Sequence, residues 1–102
     1  MRTPDKRRTV RVRRRVKVII DGHVAFTADL ASAGFCVELM HVHKPGTAIN
    51  GVITFNGCEY SFDGQVRWSR AGDTRLGVVG RMGIQFVRLA PGFARSIQAV
   101  SG

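Results

Sequence analysis

Three arginines, Arg7, Arg8 and Arg11, stand just ahead of or at the start of the first apolar run of the chain. A guanidinium presents a planar fork of N–H donors that matches two phosphate oxygens or the O6 and N7 edge of guanine, and its flat face stacks on a purine. Arginines held close together can therefore grip both the phosphates and the bases of a nucleotide. Further along, Asp29-Leu30-Ala31-Ser32-Ala33-Gly34 sets a carboxylate ahead of small residues and a glycine. A carboxylate accepts from two donors on one edge, such as N1 and N2 of guanine, and a glycine lets a ligand approach the backbone. The same run also suits an ordinary Asx-type turn between strands, and the two readings are compatible.

Charge is distributed very unevenly. The net charge is +9, and residues 1–17 hold nine of the sixteen basic side chains against one acid, Asp5, while residues 18–102 carry seven basic and six acidic side chains. The body of the chain is nearly neutral, so attraction for an anion is concentrated in one segment. A solvated basic tail with no partner is the alternative for that segment.

These residues need elements to position them, and the chain reads as strands. Val10, Val12, Val16, Val18 and Ile20 alternate with Arg11, Arg13, Arg15 and Lys17, with Arg14 as the exception, which predicts one strand with a core face and a basic face. Asp21-Gly22 predicts a hairpin, followed by a strand with Val24, Phe26, Ala28 and Leu30 on one face. Phe35, Val37 and Leu39 mark a third strand, and Ala48 to Phe55 a fourth that turns at Asn56-Gly57. The fifth places Cys58, Tyr60, Phe62, Val66 and Trp68 on one face, with Gly64 as the point of a bulge or bend. Leu76 to Leu89 predicts a last long strand with Met82, Ile84 and Phe86 inward, and Phe93, Ile97 and Val100 fall at helical spacing after Pro91. The expectation is all-β: a six-stranded antiparallel barrel with a short C-terminal helix, since closure leaves no sheet edge exposed. Its organisation is a flexible Arg-rich arm at 1–11 and a single barrel domain at 12–102.

Composition narrows the classes. A chain of 102 residues, 44% hydrophobic, is one domain's worth of core. No apolar stretch approaches the ~20 residues of a membrane span, and no apolar segment follows the basic N-terminus as in a signal peptide, so a cytoplasmic location is expected. Cys36 and Cys58 show no CxxC spacing and are read as two buried reduced thiols. His41-Val42-His43 with Cys36 is the one cluster resembling metal ligands, and His23, His41 and His43 are read as surface residues. With no phosphate loop and no nucleophile elbow, neither an enzyme nor a bound metal or cofactor is expected.

Two motifs together resemble the PilZ domain family: Arg7-Arg8-Thr9-Val10-Arg11 has RxxxR spacing ahead of the first strand, and Asp29 to Gly34 is similar to a (D/N)xSxxG turn between the second and third. Gln65-Val66-Arg67-Trp68 and Met82-Gly83-Ile84-Gln85-Phe86 are similar to the late strands of that family, so the resemblance runs from about Lys6 to about Leu89. It implies a bacterial six-stranded barrel that receives cyclic di-GMP, with Arg7, Arg8 and Arg11 clamping phosphate and guanine and the turn at Asp29, Ala31 and Gly34 receiving a guanine edge. It also implies signalling to an effector protein in motility, pili or polysaccharide synthesis. The chain departs from the pattern at Ala31, where the family has Ser, and a lost hydrogen bond of about 0.5–1.5 kcal/mol weakens binding by roughly two- to tenfold. Two other readings stand beside this one: a PilZ-like module that binds no nucleotide and contacts only protein, and a small basic barrel that binds nucleic acid. The second lacks a stacking platform, since Phe35, Phe55, Tyr60, Phe62, Trp68 and Phe86 mostly have core parity.

Overall fold

The computed structural model describes residues 11–12 and 15–101. Its strands are β1 (Arg11–Val12), β2 (Lys17–Ile20), β3 (His23–Ala31), β4 (Gly34–Leu39), β5 (Ala48–Phe55), β6 (Cys58–Arg70) and β7 (Gly80–Leu89), followed by helix α1 (Phe93–Ser101). The order β3-β2-β5-β6-β7-β4 is closed by pairing of β3 with β4, and every pairing is antiparallel. The result is a six-stranded barrel, with β1 as a two-residue addition on the far end of β3.

Inward side chains follow from the alternation of each strand. Val18 and Ile20 of β2, Phe35 and Val37 of β4, Ile53 and Phe55 of β5, Phe62 and Val66 of β6, and Met82 and Ile84 of β7 are all buried. α1 docks on this core through Phe93 and Ile97, both fully buried, and the Phe93 ring packs against Phe55, Tyr60 and Phe86 at centroid separations of 5.3–6.0 Å. Both short hairpins turn as expected: Asp21 and Gly22 have φ of 49° and 86°, Asn56 and Gly57 of 52° and 79°. Positive φ at both central residues gives the turn the right-handed twist of its flanking strands.

Five expectations need correction. Among the described residues the strand expected from Val10 to Ile20 shows a break in register, because β1 and β2 pair with β3 in registers that differ by one residue. At the end of that break the buried Thr27 hydroxyl accepts from the Val16 N–H at 3.1 Å, while the Thr27 N–H donates to the Val16 carbonyl at 3.0 Å. Val24 and Phe26 are exposed, and Ala25 and Thr27 are buried in their place. A register shift between Thr27 and Asp29 then re-phases the strand, so that Leu30 faces the core. Trp68 and Cys58 are likewise off the core face, Trp68 because β6 shifts register between Val66 and Trp68. The last strand starts at Gly80 and not at Leu76, since Thr74–Leu76 form a single 3-10 turn that Asp73 caps by accepting from the Arg75 N–H at 3.0 Å. Both cysteines are free, but Cys36 is only half-buried and Cys58 is exposed.

Candidate ligand-binding site

The Asp29–Gly34 segment spans the β3–β4 connection, but the turn itself is shorter than expected: Asp29, Leu30 and Ala31 end β3, Gly34 opens β4, and only Ser32 and Ala33 lie between them, with Leu30 opposite Phe35. On the other side of β3 the register sets Arg11 opposite Ala31 and Val12 opposite Leu30. Adjacent strands lie about 4.8 Å apart, so the last arginine of the RxxxR motif and the carboxylate-bearing turn belong to one patch of sheet. Arg7 and Arg8 lie outside the described residues. Of the three histidines expected at the surface, His23 and His41 are exposed, whereas His43 is half-buried.

The turn opens onto a cleft of about 680 Å³ formed by β3, β4, β6 and β7, lined by Asp29, Ala31, Gly34, Arg67, Trp68 and Arg81, among others. Three of these, Arg67, Trp68 and Arg81, are functional candidates that sequence reasoning missed. Trp68 is 45% exposed and lies against the backbone of Gly83, where an added Cβ would sit 2.0 Å from the indole Nε1. Glycine at 83 is thus what lets the ring lie down on β7, leaving one face toward the cleft. Arg67 donates through Nη1 to the Gln85 side-chain oxygen, and Arg81 donates through Nη2 to Glu38 Oε2 at 2.8 Å. The available signal was the Val66-Arg67-Trp68 triplet of the late-strand pattern. Parity assigned its tryptophan to the core because the register shift leaves no mark in residue types.

Gly34 has a structural reason for being glycine. A Cβ there would meet the Ile84 carbonyl oxygen at 2.0 Å, so β4 and β7 can pair this closely only without a side chain. Ala31 is buried while still reaching the cleft wall. Cys36 pairs with Asp29 across the β3–β4 ladder. Burial pushes its thiol above the ordinary range, the Asp29 carboxylate pushes it further, and Arg81 pulls the other way. The cleft therefore presents an indole face, guanidinium forks and a carboxylate beside a thiol held in its neutral form.

Among the described residues no group of three or more His, Cys, Asp or Glu side chains is placed to hold a metal ion, and no helix is long and apolar enough to cross a membrane.

Comparison with known proteins gives a family match and likenesses among solved structures. The sequence profile of the PilZ domain matches residues 3–101. Among solved structures, the Bacillus subtilis inhibitor of motility (MotI/DgrA) superposes with a TM-score of 0.78 at 16% identity, over 94% of this chain and 50% of that one. The chain thus spans about half the length of that structure, and at this identity the likeness is one of fold. No curated protein matches the chain.

Proposed function

We propose that this chain, which belongs to the PilZ domain family, is a cyclic di-GMP receptor whose arginine motif and β3–β4 turn hold one ligand between them. The observation that carries this reading is the pairing of Arg11 with Ala31, which brings two motifs far apart in sequence onto neighbouring strands. Asp29 accepts from N1 and N2 of one guanine, Arg11 with Arg7 and Arg8 contacts phosphate and the second base, and Trp68 stacks on a purine face. Arg67 and Arg81 add positive charge to the lining of the same cleft. Closure of the segment before β1 over the ligand is the output, passed to a partner protein in the cytoplasm.

The structural neighbour from Bacillus subtilis is an inhibitor of motility, which supports a motility or surface-behaviour context for this chain. Calorimetric titration with cyclic di-GMP tests the reading. Saturable binding that GMP and short RNA do not match is the expected result, and silence at high micromolar ligand would leave a module that contacts protein alone. RNA binding of equal strength, falling steeply with salt, would point instead to the nucleic-acid alternative.

A further inference from the structure

The outer surface of the barrel carries apolar side chains that neither the core nor the ligand cleft uses. Val24 and Phe26, two residues apart on β3, point away from buried Ala25 and Thr27 and are 58% and 37% exposed. Cross-strand pairing extends Val24 into a row, to Ile19 on β2 and from Ile19 to Val52 on β5. A sheet face turned to water ordinarily carries polar residues at such positions. Val24, Leu39 and Met40 also line a second cleft, of about 390 Å³, with His23 and His41, and Met40 is 42% exposed. An exposed apolar row beside a hole the size of a few side chains has the form of the centre of a protein contact, where one anchor residue fills a pocket.

Charge indicates what fits it. Arg15 and Lys17 are exposed next to Phe26, and Lys17 is its cross-strand partner. The nearby acids are engaged: Glu38 by Arg81 at 2.8 Å and Arg15 at 4.0 Å, and Asp21 by His43 at 3.7 Å. Two copies of this face laid together would set like charges against each other around an apolar centre, which disfavours a symmetric dimer.

We infer that the Val24–Met40 face docks a partner protein through an apolar side chain flanked by Asp or Glu, and that Arg15 couples this face to the ligand cleft. The Arg15 guanidinium lies over the Phe26 ring, 4.6 Å from its centroid, and shares Glu38 with Arg81. Arg81 lines the cleft beside Asp29. An anion that draws Arg81 toward itself leaves Glu38 to Arg15, which changes how Arg15 covers Phe26. The coupling rests on the ligand reading above, whereas the docking face does not. From Val24 to Asp29 is about 16 Å along one strand at ~3.3 Å per residue, so the two sites lie on one hairpin without overlapping.

The test uses the whole chain and a synthetic peptide with Phe and Leu set among Asp and Glu, beside a counterpart in which Lys replaces every acid. Binding is followed by the methyl resonance of Met40 and by anisotropy of the labelled peptide. The acidic peptide is expected to shift Met40 and the basic one to leave it in place. Val24→Glu should weaken the acidic peptide about tenfold or more through like-charge repulsion. Val87→Glu, the same change at a valine on β7 that is 71% exposed, should not. Met40→Glu replaces Val24→Glu if thermal unfolding shows the latter misfolded. An unmoved Met40, or wild-type affinity in the face variants, overturns the docking face. So does a dimer in sedimentation that Val24→Glu dissociates, because the occupant is then a second copy. Cyclic di-GMP should alter peptide affinity in the wild type and not in Glu38→Gln. If the dinucleotide binds by calorimetry yet leaves peptide affinity unchanged, the Arg15 coupling is wrong and the face stands. If it does not bind at all, the coupling falls together with the ligand reading, and the face is judged on the peptide alone.

Discussion

Replacing Trp68 by Ala separates what the cleft does from what the fold needs. The indole rests on Gly83 and is 45% exposed, so it loses far less packing than the 3–5 kcal/mol typical of a fully buried ring truncated to Ala. About 1–2 kcal/mol of stability is the expected loss, or roughly 4–16 °C in midpoint for a domain of this size, and the variant stays folded at 25 °C. A base stacked on an aromatic ring is worth about 1–3 kcal/mol by alanine substitution. That corresponds to roughly a 5- to 150-fold rise in Kd for cyclic di-GMP. Trp68→Phe keeps a stacking face and should recover most of the affinity. Trp68 is the sole tryptophan, so its fluorescence reports on the cleft directly, and ligand should change it in proportion to the heat measured by calorimetry. Unchanged Kd in Trp68→Ala, or calorimetric binding with no fluorescence change, would refute the placement of the ligand in this cleft.

Arg11→Ala and Arg7→Ala should each weaken cyclic di-GMP by about 1.5–3 kcal/mol if their charge-assisted bonds are lost; unchanged affinity in both would remove the arginines from the site. Ala31→Ser restores the family hydroxyl and should tighten binding roughly two- to tenfold, while weaker binding would show that the buried position has no room for it. Cys36 should react slowly with iodoacetamide at neutral pH, because burial first and Asp29 second hold its thiol protonated. Removing the negative charge in Asp29→Asn lowers that pKa and speeds alkylation below it; an unchanged rate would show that Asp29 does not reach the sulfur. Thr27→Val leaves the buried Val16 N–H without its acceptor and should cost about 1–3 kcal/mol in urea unfolding, with ligand affinity measured on the folded protein unaffected.

The parts of the fold that were legible in the sequence are those governed by local rules. Asp21-Gly22 and Asn56-Gly57 announce turns because few other pairs accept positive φ twice. Cys58 to Val66 reads as a strand because its large apolar residues recur at every second position. Of the cleft lining, Asp29, Ala31 and Gly34 were legible in the sequence as one motif. Arg67, Trp68 and Arg81 were not, and neither was the exposure of Val24 and Phe26. For Trp68, Val24 and Phe26 the residue types obey period two, and the chain departs from that period by one residue at a point that no residue type marks; Arg67 and Arg81 keep their outward parity and resemble any solvated arginine in the sequence.

Those departures are where the site is built. Register shifts fall between Thr27 and Asp29 on β3, between Val66 and Trp68 on β6, and between the β1 and β2 pairings along β3. Each of these borders the Asp29 cleft or sets a residue in it, whereas a further shift, between Asp63 and Gly64 on β6, falls outside its lining and at the glycine expected to mark a bulge. A regular barrel turns alternate side chains either into its core or out to water, and a cleft requires polar and aromatic groups aimed at neither. A bulge supplies that aim by rotating the residues that follow it against the ladder. On β6 it carries an indole out of the core row and onto Gly83, and on β3 it leaves Asp29 half-buried just ahead of the turn. The alternation that identifies the barrel thus fails around the Asp29 cleft, the place where the proposed ligand would sit. In a chain of this class, an aromatic residue at apparent core parity next to a bulge is the first place to look for a missing wall of the site.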